Sequence, residues 1–247
     1  MADAALHRRI VGVDAPDAWY LKGRLDADAV AAALVGRRFV AARRIGKLLL
    51  LDTSCGGPVV GLRFGMTGRL VVDGRAGVDR LLYASGLDAP AWERFSVLFA
   101  DGALVMRDPR RLGGVRLDPA EEALGPDALD ITLSRLRAAL AGEAPLKARL
   151  LDQSRLAGIG NLLADETLWR AGLDPRRPAM SLDATESRRL HRHLVATVRS
   201  LIERGGSHTG DLMAARRPGG TCPRDAAPLA RATVGGRTTW WCPVHQQ

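Results

Sequence analysis

The chain has 247 residues, a length that suits one large domain or two modest ones. A hydrophobic fraction of 47% excludes a disordered chain, and no apolar run approaches the roughly 20 residues that span a bilayer. Three cysteines are too few for a disulfide scaffold, and the first residues lack the apolar core of a secretory signal. We therefore expect a globular protein in a reducing, cytoplasmic setting, with no membrane partner.

The chain is strongly basic. Lysine and arginine exceed aspartate and glutamate to give a net charge of +9, and the isoelectric point is near 10.6. An excess of this kind indicates a polyanionic partner such as a nucleic acid. The alternative is that the arginines reflect a coding bias toward GC-rich codons, and charge alone leaves both explanations open.

The first half of the chain has the pattern of short strands separated by tight turns. Glycine-rich and Asp-Gly turn signals separate the apolar runs, and a single helix with an N-terminal aspartate interrupts them at residues 26–34. Strands at this spacing predict a β-sandwich or barrel domain over residues 1–118. The predicted strands cover residues 10–13, 47–51, 59–64, 69–72, 95–99 and 103–106.

The apolar period changes to a helical one from residue 119 onward. Helices are predicted at residues 132–140, 146–152 and 161–171, followed by a long one that starts at Asp183 with a capping box and stops at Gly205. These make an all-α domain over residues 119–206. The Gly-, Arg- and Pro-rich residues 207–220 predict a loop that becomes ordered on binding, and together with the cysteine-bearing tail they form a third region, 207–247.

The tail carries four potential metal ligands. Cys222 and Asp225 are separated by two residues, as are Cys242 and His245, and sixteen residues lie between the two pairs. Two such turns can supply four ligands to a tetrahedral Zn²⁺ ion, so we predict a structural zinc site. The alternative is a metal-free β-hairpin held by its two tryptophans.

Several segments in a shared order resemble the formamidopyrimidine-DNA glycosylase and endonuclease VIII family of base-excision repair enzymes. The resemblance implies an α+β multidomain protein, with an N-terminal β-sandwich domain, a central helix-two-turn-helix all-α domain and a C-terminal zinc-ribbon hairpin. It also implies double-stranded DNA with damaged or abasic sites as the partner, a monomer, and a nucleoid association in a bacterium. The matching segments are Arg-Arg-Ile-Gly-Lys at 43–47, Gly-Met-Thr-Gly-Arg-Leu at 65–70, Asp-Pro-Arg-Arg-Leu-Gly at 108–113, Asp-Gln at 152–153 through Gly-Ile-Gly-Asn-Leu-Leu-Ala-Asp-Glu at 158–166, and Gly-Arg-Thr-Thr at 236–239.

The resemblance implies roles for six DNA-binding residues. Met66, Arg110 and Leu112 match the trio that fills the gap left by an extruded nucleotide. Met66 and Leu112 could instead fill a core, although each lies in a loop flanked by glycines. Phosphate contacts are expected from Lys147, Asn161 and Arg237. Asn161 begins a helix, where N–H groups attract phosphate; a plain N-cap role is the alternative, and both roles can hold together.

The chemistry that the resemblance implies is DNA glycosylase with AP-lyase activity on oxidised bases. The family attacks the sugar with an N-terminal proline amine beside a glutamate, and this sequence begins Met-Ala-Asp. Lys47 matches a family lysine in the active-site cleft and is therefore the candidate nucleophile. Its alternative is a strand-edge lysine on the DNA face. Three alternatives stay open. The recorded start of the sequence could lie downstream of the true one, or the chain could be a catalytically impaired damaged-DNA-binding protein. The third alternative is a zinc-ribbon ribosome- or RNA-associated protein.

Overall fold

The computed structural model describes residues 2–77 and 89–247. It divides into two compact units, Met1–Glu121 and Glu122–Gln247. Within the described residues, no helix combines the length and the apolar character needed to cross a membrane. The predicted further boundary at residue 207, which makes the tail a domain of its own, stays a prediction.

The first unit is built from short antiparallel strands and one helix, α1 (Ala27–Leu34), whose N-cap Asp26 accepts from the Ala29 N–H. The strands of its described part are β1 (Ile10–Asp14), β2 (Phe39–Ile45), β3 (Leu48–Thr53), β4 (Val60–Arg63), β5 (Arg69–Val72), β6 (Arg75–Ala76), β7 (Glu93–Phe99), β8 (Gly102–Arg107) and β9 (Gly114–Leu117).

These strands form two sheets that share one apolar core, which confirms the predicted sandwich. One sheet has the order β1-β7-β8-β5-β6 and the other the order β2-β3-β4-β9. Their inward residues are fully buried and belong to one cluster, with Leu62 and Val115 from one sheet and Val97 and Met106 from the other. Burial of this apolar surface is the main force that holds the sheets face to face.

Besides the connection from β1 to β2 through α1, two short crossovers join the sheets within the described residues. The first links β4 to β5 through residues 64–68, and the second links β8 to β9 through residues 108–113. Both leave from the same end of the sandwich, because Arg63 pairs with Gly114 in one sheet and Arg69 pairs with Arg107 in the other. Residues at this end therefore come from several distant parts of the chain.

The second unit is mainly helical, and its helices match the predicted ones closely. They are α2 (Leu133–Ala139), α3 (Leu146–Leu151), α4 (Asn161–Ala171) and α5 (Ala184–Glu203). The capping box of Asp183 and Glu186 is present at the start of α5. Gly172 ends α4 in the left-handed conformation, with a φ of 64°.

A two-stranded hairpin, β10 (Ala230–Val234) and β11 (Arg237–Trp241), completes the second unit and packs against α4. The segment before it, predicted to become ordered on binding, contacts α4 through a buried acid. Leu212 is fully buried, and its N–H and that of Asp211 donate to the carboxylate of Glu166. This buried acid ties the segment to α4.

Three strands of the described part escaped the sequence pattern, and several predicted strand boundaries differ from the observed ones by one or two residues. The strand β2 contains two arginines and alternates poorly, while β6 and β9 have only two and four residues. The predicted strand at 47–51 begins one residue later, because Lys47 occupies the turn between β2 and β3.

A pair of glycine substitutions tests how tightly the two crossovers pack. Gly65 has a φ of 61°, and a Cβ there would lie 2.6 Å from the backbone carbon of Leu112. Gly65→Ala should lower the free energy of unfolding by roughly 1–2 kcal/mol, because alanine is strained in the left-handed conformation. Overpacking against Leu112 should lower it by about 1–3 kcal/mol more. Gly74→Ala is the matched control, with a φ of 75° and open space around its Cβ. Equal losses in urea unfolding would contradict the close approach.

Candidate nucleic-acid interface and metal centre

One end of the sandwich gathers most of the predicted site residues of the first unit. Strand register places the start of β3 beside the end of β4, since Leu48 pairs with Arg63, and the end of β4 beside the start of β9. The Lys47 turn, the 64–68 crossover and the 108–113 crossover therefore meet there.

A buried carboxylate joins the two crossovers. Asp108 is fully buried and accepts the hydroxyl of Thr67, which lies in the first crossover. It also accepts the N–H groups of Gly113 at 2.8 Å and Arg110 at 3.3 Å, both in its own crossover. A carboxylate that receives several hydrogen bonds in a dry site fixes the loops that donate them.

The three predicted gap-filling residues lie on these crossovers and face outward. Met66 is 50% exposed, Leu112 is 46% exposed and Arg110 is also exposed. The alternative that Met66 and Leu112 fill the core is therefore wrong. Apolar side chains held out on rigid loops are suited to insertion between stacked bases.

The chain contains three lysines, and the structure separates their roles. Lys147 is fully buried, and Lys22 donates to the carbonyl of Trp19 while its ammonium lies 4.5 Å from that ring. Lys47 is exposed in the turn at the crossover end. Of the three lysine amines, Lys47 alone combines exposure with a position beside the crossovers.

The second unit brings Asn161 and the hairpin turn together. The Asn161 Nδ2 donates to the carbonyl of Thr238 at 3.1 Å, next to the exposed Arg237. Gly235 packs so closely on α3 that a Cβ there would lie 2.9 Å from the Cβ of Ala148. The N-cap of α4 is Gly160, so the plain N-cap alternative for Asn161 is wrong.

Lys147 holds this arrangement from inside and is fully buried, which corrects its predicted role as a phosphate contact. Its ammonium is fully buried, 2.7 Å from the carboxylate of Asp165, and donates to the Thr238 carbonyl at 3.1 Å and the Thr239 hydroxyl at 2.8 Å. Arg216 contacts the other oxygen of Asp165 at 2.6 Å. Burial lowers the pKa of Lys147 below its usual value, against the opposing attraction of Asp165.

The four predicted metal ligands converge at the base of the hairpin. One ligand atom from each of Cys222, Asp225, Cys242 and His245 lies within 4.8 Å of the others. The Asp225 Oδ2 lies 3.0 Å from the Cys242 Sγ and 3.4 Å from the Cys222 Sγ, and His245 Nδ1 contacts the same oxygen. Ligands about 2.0–2.3 Å from a tetrahedral Zn²⁺ ion are themselves about 3.3–3.8 Å apart, so the group has the size and donor types of a zinc site.

The ionisation of two members follows from their surroundings. The hydrogen bond with His245 lowers the pKa of Asp225 to about 2, so its carboxylate is charged. Burial, together with the neighbouring Asp225, raises the pKa of Cys242 to about 11. A cation held by the four ligand atoms would favour the thiolate of Cys242 and offset the effect of the neighbouring Asp225 carboxylate on it.

The structure adds residues that the sequence did not single out. Asp108 and Asp165 lie inside the quoted motifs, but nothing in their spacing indicates that each would be a buried acceptor for distant segments. Their immediate neighbours give no signal either, because Asp108 lies between Arg107 and Pro109 and Asp165 lies between Ala164 and Glu166. Asp17 is a third case, since its buried carboxylate accepts from Arg111.

Two family models cover most of the chain. The formamidopyrimidine-DNA glycosylase N-terminal domain matches residues 1–115, and the formamidopyrimidine-DNA glycosylase H2TH domain matches residues 118–212. The chain belongs to the formamidopyrimidine-DNA glycosylase family. This confirms the resemblance inferred from the motifs.

Individual members of this family are similar to the chain along most of its length. The formamidopyrimidine-DNA glycosylase of Paracoccus denitrificans is 34% identical over 240 residues, covering 87% of this chain and 84% of that protein. The formamidopyrimidine-DNA glycosylase of Thermus thermophilus is 34% identical over 239 residues, covering 85% of this chain and 83% of that protein. A Lactococcus lactis formamidopyrimidine-DNA glycosylase, solved in complex with DNA containing a formamidopyrimidine lesion, has the same fold, with a TM-score of 0.79 at 23% identity over 99% of this chain and 95% of that one.

Proposed function

We propose that this chain binds damaged or abasic duplex DNA as a monomer, extrudes the damaged nucleotide and acts as a DNA glycosylase with AP-lyase activity on oxidised bases. The observation that carries the proposal is the Asp108 clamp, which holds Met66, Arg110 and Leu112 outward on two joined loops. The family membership and the net charge of +9 support the same function.

The gap-filling residues have distinct tasks in this proposal. Met66 and Leu112 insert as apolar wedges where a nucleotide leaves the stack, and the Arg110 guanidinium donates to the base that remains unpaired. A rigid loop suits this work because a side chain that is already ordered loses little entropy on insertion.

In the second unit, Asn161 and Arg237 contact phosphate in this proposal. The Asn161 Nδ2 has a second N–H beyond the one given to Thr238, and the first N–H groups of α4 lie beside it. Lys147 acts as a positioning residue, since its buried ammonium ties α3 to the hairpin that carries Arg237.

We assign the nucleophile of the lyase step to the amine of Lys47. The unprotonated amine attacks C1′ of the opened abasic sugar, and water leaves as the Schiff base forms. Leu6 lies elsewhere, because it pairs with Phe39 at the far end of β2. The seven residues of β2 place that point about 20 Å from the Lys47 turn.

Borohydride trapping on an abasic duplex tests this assignment. Lys47→Arg keeps the charge and removes the reactive amine, so the covalent adduct should fall at least about tenfold while abasic-DNA affinity stays within a few fold. Lys22→Arg is the matched control and should trap like the unchanged protein. An adduct that persists in Lys47→Arg would contradict the assignment. Tight abasic binding without any adduct in the unchanged protein would favour the damaged-DNA-binding alternative.

The salt dependence of binding tests the phosphate contacts. Arg237→Gln should reduce the slope of log affinity against log salt by about 0.9, the value for one phosphate contact on duplex DNA. Arg231→Gln is the control, because Arg231 lies in β10 over Trp240 rather than at the hairpin turn. A slope that is unchanged by Arg237→Gln, or equally changed by both substitutions, would contradict the contact.

We also propose that Cys222, Asp225, Cys242 and His245 hold a structural Zn²⁺ ion, which would supply the folding energy of a hairpin too small to fold alone. Purified protein should contain about one zinc per chain. Chelation should abolish DNA binding and leave the helical circular dichroism in place. Asp225→Ala should lose the metal, whereas Asp225→Cys and the exposed control Glu203→Gln should keep it. Intact binding by zinc-free protein would refute the site.

A further inference from the structure

We propose that Trp169 is a positioning residue for the metal centre and that it holds one ligand of each pair from α4. The inference rests on the structural Zn²⁺ ion proposed above, whose four ligands all lie outside α4. Trp169 lies in the last turn of α4, and its side chain is 5% exposed. It contacts Cys222 through its indole N–H and His245 through its backbone carbonyl.

The first contact is a hydrogen bond to sulfur. The Trp169 Nε1 lies 3.3 Å from the Cys222 Sγ, and both residues are buried. An indole N–H can only donate, so the sulfur is the acceptor. The thiolate, which is the form that binds a metal, accepts such a bond more strongly than the thiol because it is charged. The indole N–H of Trp169 therefore favours the ligating form of Cys222.

The second contact determines which nitrogen of His245 is free to bind a metal. Its Nε2 lies 3.2 Å from the carbonyl oxygen of Trp169. A carbonyl oxygen can only accept, so Nε2 carries the proton and Nδ1 keeps its lone pair. Nδ1 is also the ring atom that lies among the other ligands, 3.7 Å from the Cys222 Sγ. A bond of this kind from the second ring nitrogen orients a metal-binding histidine.

Arg224 attaches the first ligand turn to the same end of α4. It lies between Cys222 and Asp225 in the sequence, and its guanidinium lies 4.5 Å from the centre of the Trp169 ring. It also donates to the carbonyl of Trp169 at 3.4 Å and to that of Arg170 at 3.3 Å. A cation is favoured both over an indole ring and at the carboxyl end of a helix. The turn is thus held on α4 from two sides.

The place of Trp169 on α4 connects the metal centre with the proposed phosphate contacts. Asn161 begins the same helix eight residues earlier, which is about 12 Å along its axis. The Asn161 Nδ2 donates to the carbonyl of Thr238, which lies four residues before Cys242 in the chain. The helix therefore contacts the hairpin near Asn161 and the ligand turns at Trp169. A metal that fixes the ligand turns on Trp169 also fixes the hairpin beside Asn161.

Cobalt substitution tests the hydrogen bond to sulfur. Co²⁺ held by thiolates absorbs in the near ultraviolet through charge transfer from sulfur, and a hydrogen bond raises the energy of this band because it stabilises the sulfur lone pair. Trp169→Phe removes the N–H and keeps an aromatic ring and the backbone carbonyl. Its band should move to longer wavelength, and its zinc affinity, measured by competition with a chelator, should fall about tenfold.

Two control variants separate this role from loosened packing. Trp240→Phe makes the same substitution in β11, at a ring that lies beside Arg231, and should bind both metals like the unchanged protein. Gln246→Ala removes a side chain that accepts from the Cys242 N–H at 2.8 Å and donates to the Leu173 carbonyl at 2.9 Å. This loosens the second ligand turn without removing a donor to sulfur, so the band should keep its energy.

Binding of an abasic duplex tests the connection to the phosphate contacts. At a buffered, limiting concentration of free zinc, Trp169→Phe should bind the duplex severalfold more weakly than the unchanged protein. Saturating zinc should restore its affinity, because the substitution acts through metal occupancy. Weaker binding that saturating zinc does not restore would contradict this connection.

The unchanged protein supplies a measurement that needs no substitution. With an NMR-active isotope of cadmium in the site, the indole proton of Trp169 should show scalar coupling to the metal through the Cys222 sulfur. Metal binding without this coupling, a band of the same energy in Trp169→Phe, or an equal shift in Gln246→Ala would overturn the positioning role alone. Failure of the unchanged protein to bind zinc, cobalt or cadmium would refute the metal site, and this inference with it.

Discussion

The hydrogen bonds to the buried carboxylate of Asp108 determine what the first unit presents to a partner. Thr67 from one crossover and the N–H groups of Arg110 and Gly113 from the other converge on it where it is fully buried. Without this acceptor the two loops would lose their common anchor, since they share no strand pairing. Because the loops are joined, Met66 and Leu112 stay exposed instead of folding back onto the apolar core.

The second unit also has a buried carboxylate that fixes a turn, and there two basic side chains pair with it. Asp165 is buried between Lys147 and Arg216, and through Lys147 it fixes the carbonyl of Thr238 beside the exposed Arg237. Removing one partner of a buried ion pair costs about 3–5 kcal/mol, so the hairpin position is strongly determined. In both units a buried acid converts a flexible turn into a rigid one, which is what recognition of a stiff polyanion requires.

Local patterns in the sequence were enough for most helices and strands but not for the interior of the site. The capping residues of α5 and the glycine after α4 lie within a few residues of the helix ends that they mark, so these helices can be predicted from local sequence. The burial of Lys147 is not, because lysines are rarely fully buried and its partners Asp165 and Thr238 come from other elements. The same holds for Asp108, whose acceptor role depends on Thr67 in a different crossover.

The most direct test of the central claim measures nucleotide extrusion when the Asp108 clamp is removed. A duplex with 2-aminopurine at the target position gains fluorescence when that base leaves the stack. Asp108→Asn places an amide donor among three donors, at a cost of about 1–3 kcal/mol, and should reduce the fluorescence gain severalfold while DNA affinity, which depends mainly on phosphate contacts, changes little. Asp118→Asn is the control, since Asp118 accepts from the Val59 N–H, away from the crossovers. Full extrusion by a folded Asp108→Asn protein would contradict the account.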